Sequence, residues 1–146
     1  MTGARTGTPA ARPAQRDPLL LGLVLLGGAA GTCVRALLED AVPAAPGGWP
    51  WATFAINLSG ALVLGVLLAV LARGGSDQGW RRRVRLGAGT GFLGGYTTYS
   101  TFAVEITRLA WPTAIGYSLA TVLLGALAAW LGAAAVRRIP RGRSAP

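Results

Sequence analysis

The sequence predicts an all-α membrane protein of four transmembrane helices, the third broken near its middle. Three observations point there. Hydrophobic residues fill 52% of the 146 positions and charged residues only 13%, about half the charged share of a soluble domain. Four apolar runs, near 19–38, 52–72, 84–106 and 113–136, make up most of the chain, and each has about the 20 residues needed to cross a hydrocarbon core. The third run contains Gly91-Phe92-Leu93-Gly94-Gly95-Tyr96-Thr97-Thr98-Tyr99-Ser100-Thr101-Phe102. A helix interior disfavours this composition, each Gly costing about 1 kcal/mol relative to Ala. In lipid, irregular backbone survives only where protein buries it or a polar cavity adjoins it. The stretch is therefore either a broken helix at a binding or conduction site, or a glycine packing seam whose hydroxyls bond back to their own helix.

Residues 1–18 are rich in Thr, Ala, Pro, Arg and Gly without periodicity and read as a flexible tail. Tail and first run together look like a signal peptide, but the run is long and similar runs follow, so it is read as an anchor. In the first span, Gly27 and Gly31 stand four apart, the spacing that lets two helices approach closely. Arg35 near its end either snorkels to the headgroups or attracts anions at an aqueous mouth. A loop with three Pro, two Gly and the interfacial pair Trp49 and Trp51 follows. The second span has one strongly polar residue, Asn57, which needs another helix, a water-filled path or a ligand. After it comes an Arg-rich loop. In the third span Gly87, Gly91 and Gly95 recur every four residues, Tyr99 and Phe102 share a face, and Glu105 is either a boundary residue in water, the reading preferred here, or a buried carboxylate. The fourth span carries a thin polar line of Tyr117, Thr121 and Gly125, which is either helix-to-helix glue or part of a path. Residues 137–146 form a basic tail.

The formal charge of +9 comes from 14 Arg, no Lys and five acids. The Arg residues cluster beside apolar spans, so an anionic leaflet suits them better than nucleic acid. With four spans, the N-terminal tail, the second loop and the C-terminal tail share one side and hold twelve of the Arg; the other side has Arg35 and Arg108. The positive-inside rule then puts both termini in the cytoplasm of a multi-pass plasma-membrane protein, in one orientation. One Cys and no His exclude an intrachain disulfide and leave almost nothing for a zinc site or a His-based relay. No span holds a nucleophile–base pair, so the chain does not read as an enzyme.

Gly94-Gly95-Tyr96-Thr97-Thr98-Tyr99-Ser100-Thr101-Phe102 resembles the signature of the Fluc (CrcB) fluoride channels. Gly27-Gly28-Ala29-Ala30-Gly31 leading to Arg35 resembles that family's first helix, and Asn57-Leu58-Ser59-Gly60 its second. The resemblance implies a passive, fluoride-selective channel that exports F⁻ and lowers its toxicity. It implies antiparallel dimers with two pores, and a structural Na⁺ at the dimer centre held by backbone carbonyls, here those of Gly94 and Thr97. The fluoride pathway would comprise Asn57, Tyr99, Phe102, Tyr117 and Thr121, with Arg35 at the pore mouth. Two positions depart from the family pattern. Tyr99 stands where Phe is usual, and Gly125 where a hydroxyl is expected.

The strong charge bias argues against one chain inserting both ways, so the expected partner is a homologous subunit of opposite orientation. Two other classes compete. A small multidrug-type transporter needs a carboxylate embedded in its first helix, whereas Glu39 and Asp40 lie at that helix's end. A non-transporting assembly subunit would move no ion at all.

Overall fold

The computed structural model describes residues 17–140. The tails expected over 1–18 and 137–146 therefore fall mostly outside the described residues. All regular structure among the described residues is helical. Three helices are long and apolar enough to cross a membrane: α1 (Pro18–Ala41), α2 (Trp51–Arg73) and α6 (Trp111–Arg138). Between α2 and α6 lie α3 (Gly79–Val84), a π-helical segment π1 (Arg85–Leu93), α4 (Gly94–Tyr96) and α5 (Ser100–Arg108).

Local chemistry sets the ends of these helices. The Asp17 carboxylate caps α1 by accepting from the Leu19 and Leu20 amides, and Pro18 occupies the first turn, where no amide is needed. At 24 residues α1 is roughly 36 Å long, enough for a hydrocarbon core about 30 Å thick. α2 follows Pro50 and stops at Gly74; Gly75 then takes φ +101°, a value that favours glycine. α6 stops where Ile139 is held extended ahead of Pro140. In the connection after α2, Arg85 pairs with Asp77 at 2.6 Å, and that hydrogen bond holds the exposed carboxyl below its ordinary range.

The helices pack as two pairs, α1 against π1 and α4, and α2 against α6, with α2 also touching π1. Glycine sets both contacts. A Cβ at Gly27 would strike the Gly87 carbonyl, one at Gly31 the Phe92 carbonyl and one at Gly95 the Gly28 carbonyl. On the other pair, a Cβ at Gly65 would strike Ala129 and one at Gly132 would strike Leu62. Lipid tails are as apolar as Leu, so no hydrophobic force drives helices together in a bilayer; close backbone approach supplies the dispersion contacts instead. Large apolar side chains accordingly cover the outside, among them Leu25, Leu26, Leu37, Val122 and Leu123.

Candidate functional site

The site is built where helical backbone is interrupted between α4 and α5. Thr97 keeps its amide on the Leu93 carbonyl at 3.0 Å, but its ψ of 155° turns the chain out of the helix. The donors that would have continued the ladder go elsewhere. In an unbroken helix the Thr98 amide would close on the Gly94 carbonyl and the Thr101 amide on the Thr97 carbonyl. Instead the Thr98 amide donates to Asn57 Oδ1 at 2.8 Å, and the Thr101 amide donates to Thr98 Oγ1 at 3.1 Å. The Gly94 and Thr97 carbonyls thus lose their helical donors. The Gly95 carbonyl is taken up by α1, accepting from Arg35 Nε at 3.3 Å and Thr32 Oγ1 at 3.4 Å.

Asn57 is the brace across the interruption. Its amide nitrogen donates to the Thr98 carbonyl at 3.0 Å while its oxygen accepts from the Thr98 amide. One side chain on α2 thereby satisfies both backbone groups of a residue 41 positions away. Thr98 is buried and acts as the cap of α5, because Tyr99 already has helical dihedrals and Thr98 Oγ1 holds the Thr101 amide. Gly60 lets α2 come this close, since a Cβ there would strike the Thr97 methyl and the Tyr96 ring. Asn57, Gly94 and Thr97 share the lining of one cavity of about 320 Å³, together with Gly60, Leu93 and others.

A second group runs from α5 to α6. Tyr99 is 80% exposed and Phe102 8% exposed, with ring centroids 6.0 Å apart; Phe102 lies 5.2 Å from Tyr117, which is fully buried. The Tyr117 hydroxyl donates to Glu105 Oε2 at 2.7 Å, and the Thr53 hydroxyl donates to Glu105 Oε1 at 2.6 Å. Glu105 is therefore half-buried and held by two hydroxyls, where the sequence reading placed it in water. Thr121 stands one turn beyond Tyr117. Its Oγ1 is buried with no hydrogen-bond partner among the described residues, which is uncommon for a buried polar atom. At Gly125 a Cβ would meet open space.

The structure gives Arg35 definite partners. Besides Gly95, its guanidinium pairs with Glu39 one turn on, at 3.1 Å. Arg35, Asn57, Tyr99, Phe102, Tyr117 and Thr121 stand out in the sequence, whereas the cap of Thr98 and the hold of Thr53 on Glu105 appear only in the structure. Only the cluster of hydroxyls around Thr98 offered a signal for its capping role. Among the described residues no group of three or more His, Cys, Asp or Glu side chains gathers as metal ligands.

Comparisons with known proteins bear on the same residues. A family model described as "CrcB-like protein, Camphor Resistance (CrcB)" matches residues 22–133. A curated protein of Cutibacterium acnes, "Fluoride-specific ion channel FluC 1", is 49% identical over 133 residues, covering 88% of this chain and 93% of its own. "Fluoride-specific ion channel FluC 2" of Leifsonia xyli subsp. xyli is 50% identical over 116 residues, covering 77% and 79%. "Fluoride-specific ion channel FluC 1" of Streptomyces coelicolor is 37% identical over 155 residues, covering 98% and 99%. These relatives are named ion channels, not enzymes, and the matched span takes in α1, α2, the interrupted segment and most of α6. The chain is a multi-pass membrane protein that belongs to the CrcB-like family.

Proposed function

We propose that the chain is one subunit of a fluoride-selective channel through which F⁻ leaves the cytoplasm passively. The observation that carries this reading is the match to relatives named fluoride-specific ion channels over nearly their whole length. The chemistry agrees with it. Fluoride is small and strongly hydrated, so a pore must replace its water with donors while withholding a full charge that would trap it. Asn57 keeps a second amide hydrogen and Thr121 a hydroxyl as neutral donors, the Tyr117 hydroxyl being committed to Glu105, and the rings of Tyr99, Phe102 and Tyr117 offer positive edges. Thr121, with its buried and unpartnered hydroxyl, is the group best placed to use such an ion. Arg35 takes the pore-mouth position, its pull on anions tempered by the Glu39 carboxylate paired with it. Acid outside the cell drives HF inward, where it dissociates; the trapped anion then leaves down its gradient with no other energy source.

In this reading the segment from α3 to α5 is the fourth membrane crossing, interrupted in mid-bilayer, and two subunits lie antiparallel across it. A structural Na⁺ fits the residues present. Gly94 and Thr97 have carbonyls whose helical donors are diverted, and hard cations take neutral oxygen ligands of this kind. Gly94 is exposed and a Cβ there would meet nothing, which leaves it free to face a partner. Bound Na⁺ would supply positive charge to oxygens that are otherwise costly in lipid. The charge bias places both termini in the cytoplasm, and the partner is then a homologous subunit of opposite orientation.

Proteoliposome efflux tests the reading. Fluoride but not chloride should leave vesicles holding this chain with an oppositely biased homologue. Efflux of cationic drugs, or of nothing, would replace the channel with a transporter or an assembly subunit. Strong fluoride flux from this chain alone would remove the heterodimer while keeping the channel.

A further inference from the structure

The C-terminal ends of α2 and α6 enclose a cavity of about 530 Å³ lined by Arg73, Arg137, Arg138, Ile139 and Pro140. Arg73 is fixed there by donating to the Val136 carbonyl of α6. Arg137 and Arg138 stand exposed in the last turn of α6. Among the described residues no carboxylate lines the cavity, and the acid of the neighbouring loop, Asp77, is engaged by Arg85. Two helix C-termini bring roughly half a negative charge each, against three full positive charges, so a net excess of about two remains. Crowded guanidiniums with no counter-ion call for an anion. Their planar donor forks match the oxygens of a phosphate.

The surroundings say which phosphate. Ile139 lines the cavity and is 60% exposed, and Trp130, two turns back on α6, is 56% exposed. A charged seat thus opens at the end of two membrane-spanning helices, with exposed Ile139 at its rim and an exposed aromatic two turns down the outside of α6. We propose that this cavity seats the headgroup phosphate of an anionic phospholipid, with the acyl chains running down the outer face of α6. This holds whether or not the chain conducts fluoride.

The test uses the full chain purified in detergent. Native mass spectrometry would follow titrations with phosphatidylglycerol, phosphatidylcholine and inorganic phosphate. Phosphatidylglycerol should bind roughly 30- to 150-fold more tightly than phosphatidylcholine, as expected for two or three basic residues near a headgroup. The pair Arg137→Gln with Arg138→Gln should abolish that preference. The pair Arg83→Gln with Arg108→Gln removes equal charge at exposed positions outside the cavity and should leave it intact. Equal losses in both pairs would show diffuse attraction and overturn the seat. So would equal binding of the two lipids, or inorganic phosphate displacing phosphatidylglycerol at equal concentration.

Discussion

At the scale of single residues, Asn57 carries the most. Its amide holds the amide and the carbonyl of Thr98 at once. Each buried backbone group left unpaired costs about 1–3 kcal/mol, so Asn57→Ala should lower stability by roughly 2–5 kcal/mol, read as a large fall in the thermal midpoint in detergent. Asn57→Asp keeps the acceptor and loses the donor, and its midpoint should fall between. Thr98→Val removes the cap of α5 and should cost about 1 kcal/mol, while Thr98→Ser retains the oxygen and should restore most of it. An equal midpoint for Val and Ser would remove the capping role. Thr121→Val behaves differently. Its hydroxyl has no partner to lose, so the variant should fold as well as the parent while fluoride efflux slows by about tenfold or more, the worth of a charge-assisted hydrogen bond. Unchanged efflux would take Thr121 off the pathway.

At the scale of elements, glycines separate into those the subunit needs and those it does not. Gly27, Gly31 and Gly95 sit where a Cβ would enter the backbone of the facing helix, whereas Gly94 and Gly125 have open space. Gly31→Ala should therefore destabilise the single subunit, with overpacking costs of about 1–3 kcal/mol. Gly94→Ala should leave the monomer's midpoint unchanged and weaken only association with a partner, measured by crosslinking. A monomer destabilised by Gly94→Ala would contradict the free face assigned to it. The helical class and the apolar spans were legible because run length and composition alone decide them. The close contact of α1 with the third apolar run was legible in part, because Gly27 and Gly31 repeat at the same interval as Gly87, Gly91 and Gly95. The π-helical stretch of Arg85–Leu93 was not, since π-helices are rare and nothing in the residue pattern of an apolar, glycine-rich run marks i−5 against i−4 bonding. Nor were the hold of Asn57 on Thr98, across 41 residues, or of Thr53 on Glu105, across 52. Periodicity reports which face a residue occupies, not which distant group meets it there.

At the scale of the whole molecule, the exposed aliphatic surface and the unclosed carbonyls make different demands. The first is met by lipid. The second calls for a charged or hydrogen-bonding neighbour, and under the proposed pairing a cation shared with the homologous subunit would satisfy it. If the proposed pairing holds, replacing Na⁺ by N-methylglucamine while the chain is co-purified with its oppositely oriented homologue should separate the two subunits on size-exclusion chromatography, whatever their transport activity. A dimer equally robust without Na⁺ would leave the Gly94 and Thr97 oxygens unexplained.

Synthesis delivers Asn57 to the bilayer some forty residues before its mate emerges from the ribosome. During that interval the amide has nothing in the chain to hold, and quality-control proteases are offered an unfinished product. A nascent chain truncated just before Thr98 should be cleared much faster in pulse–chase than one truncated after α5, although both contain the same two leading spans.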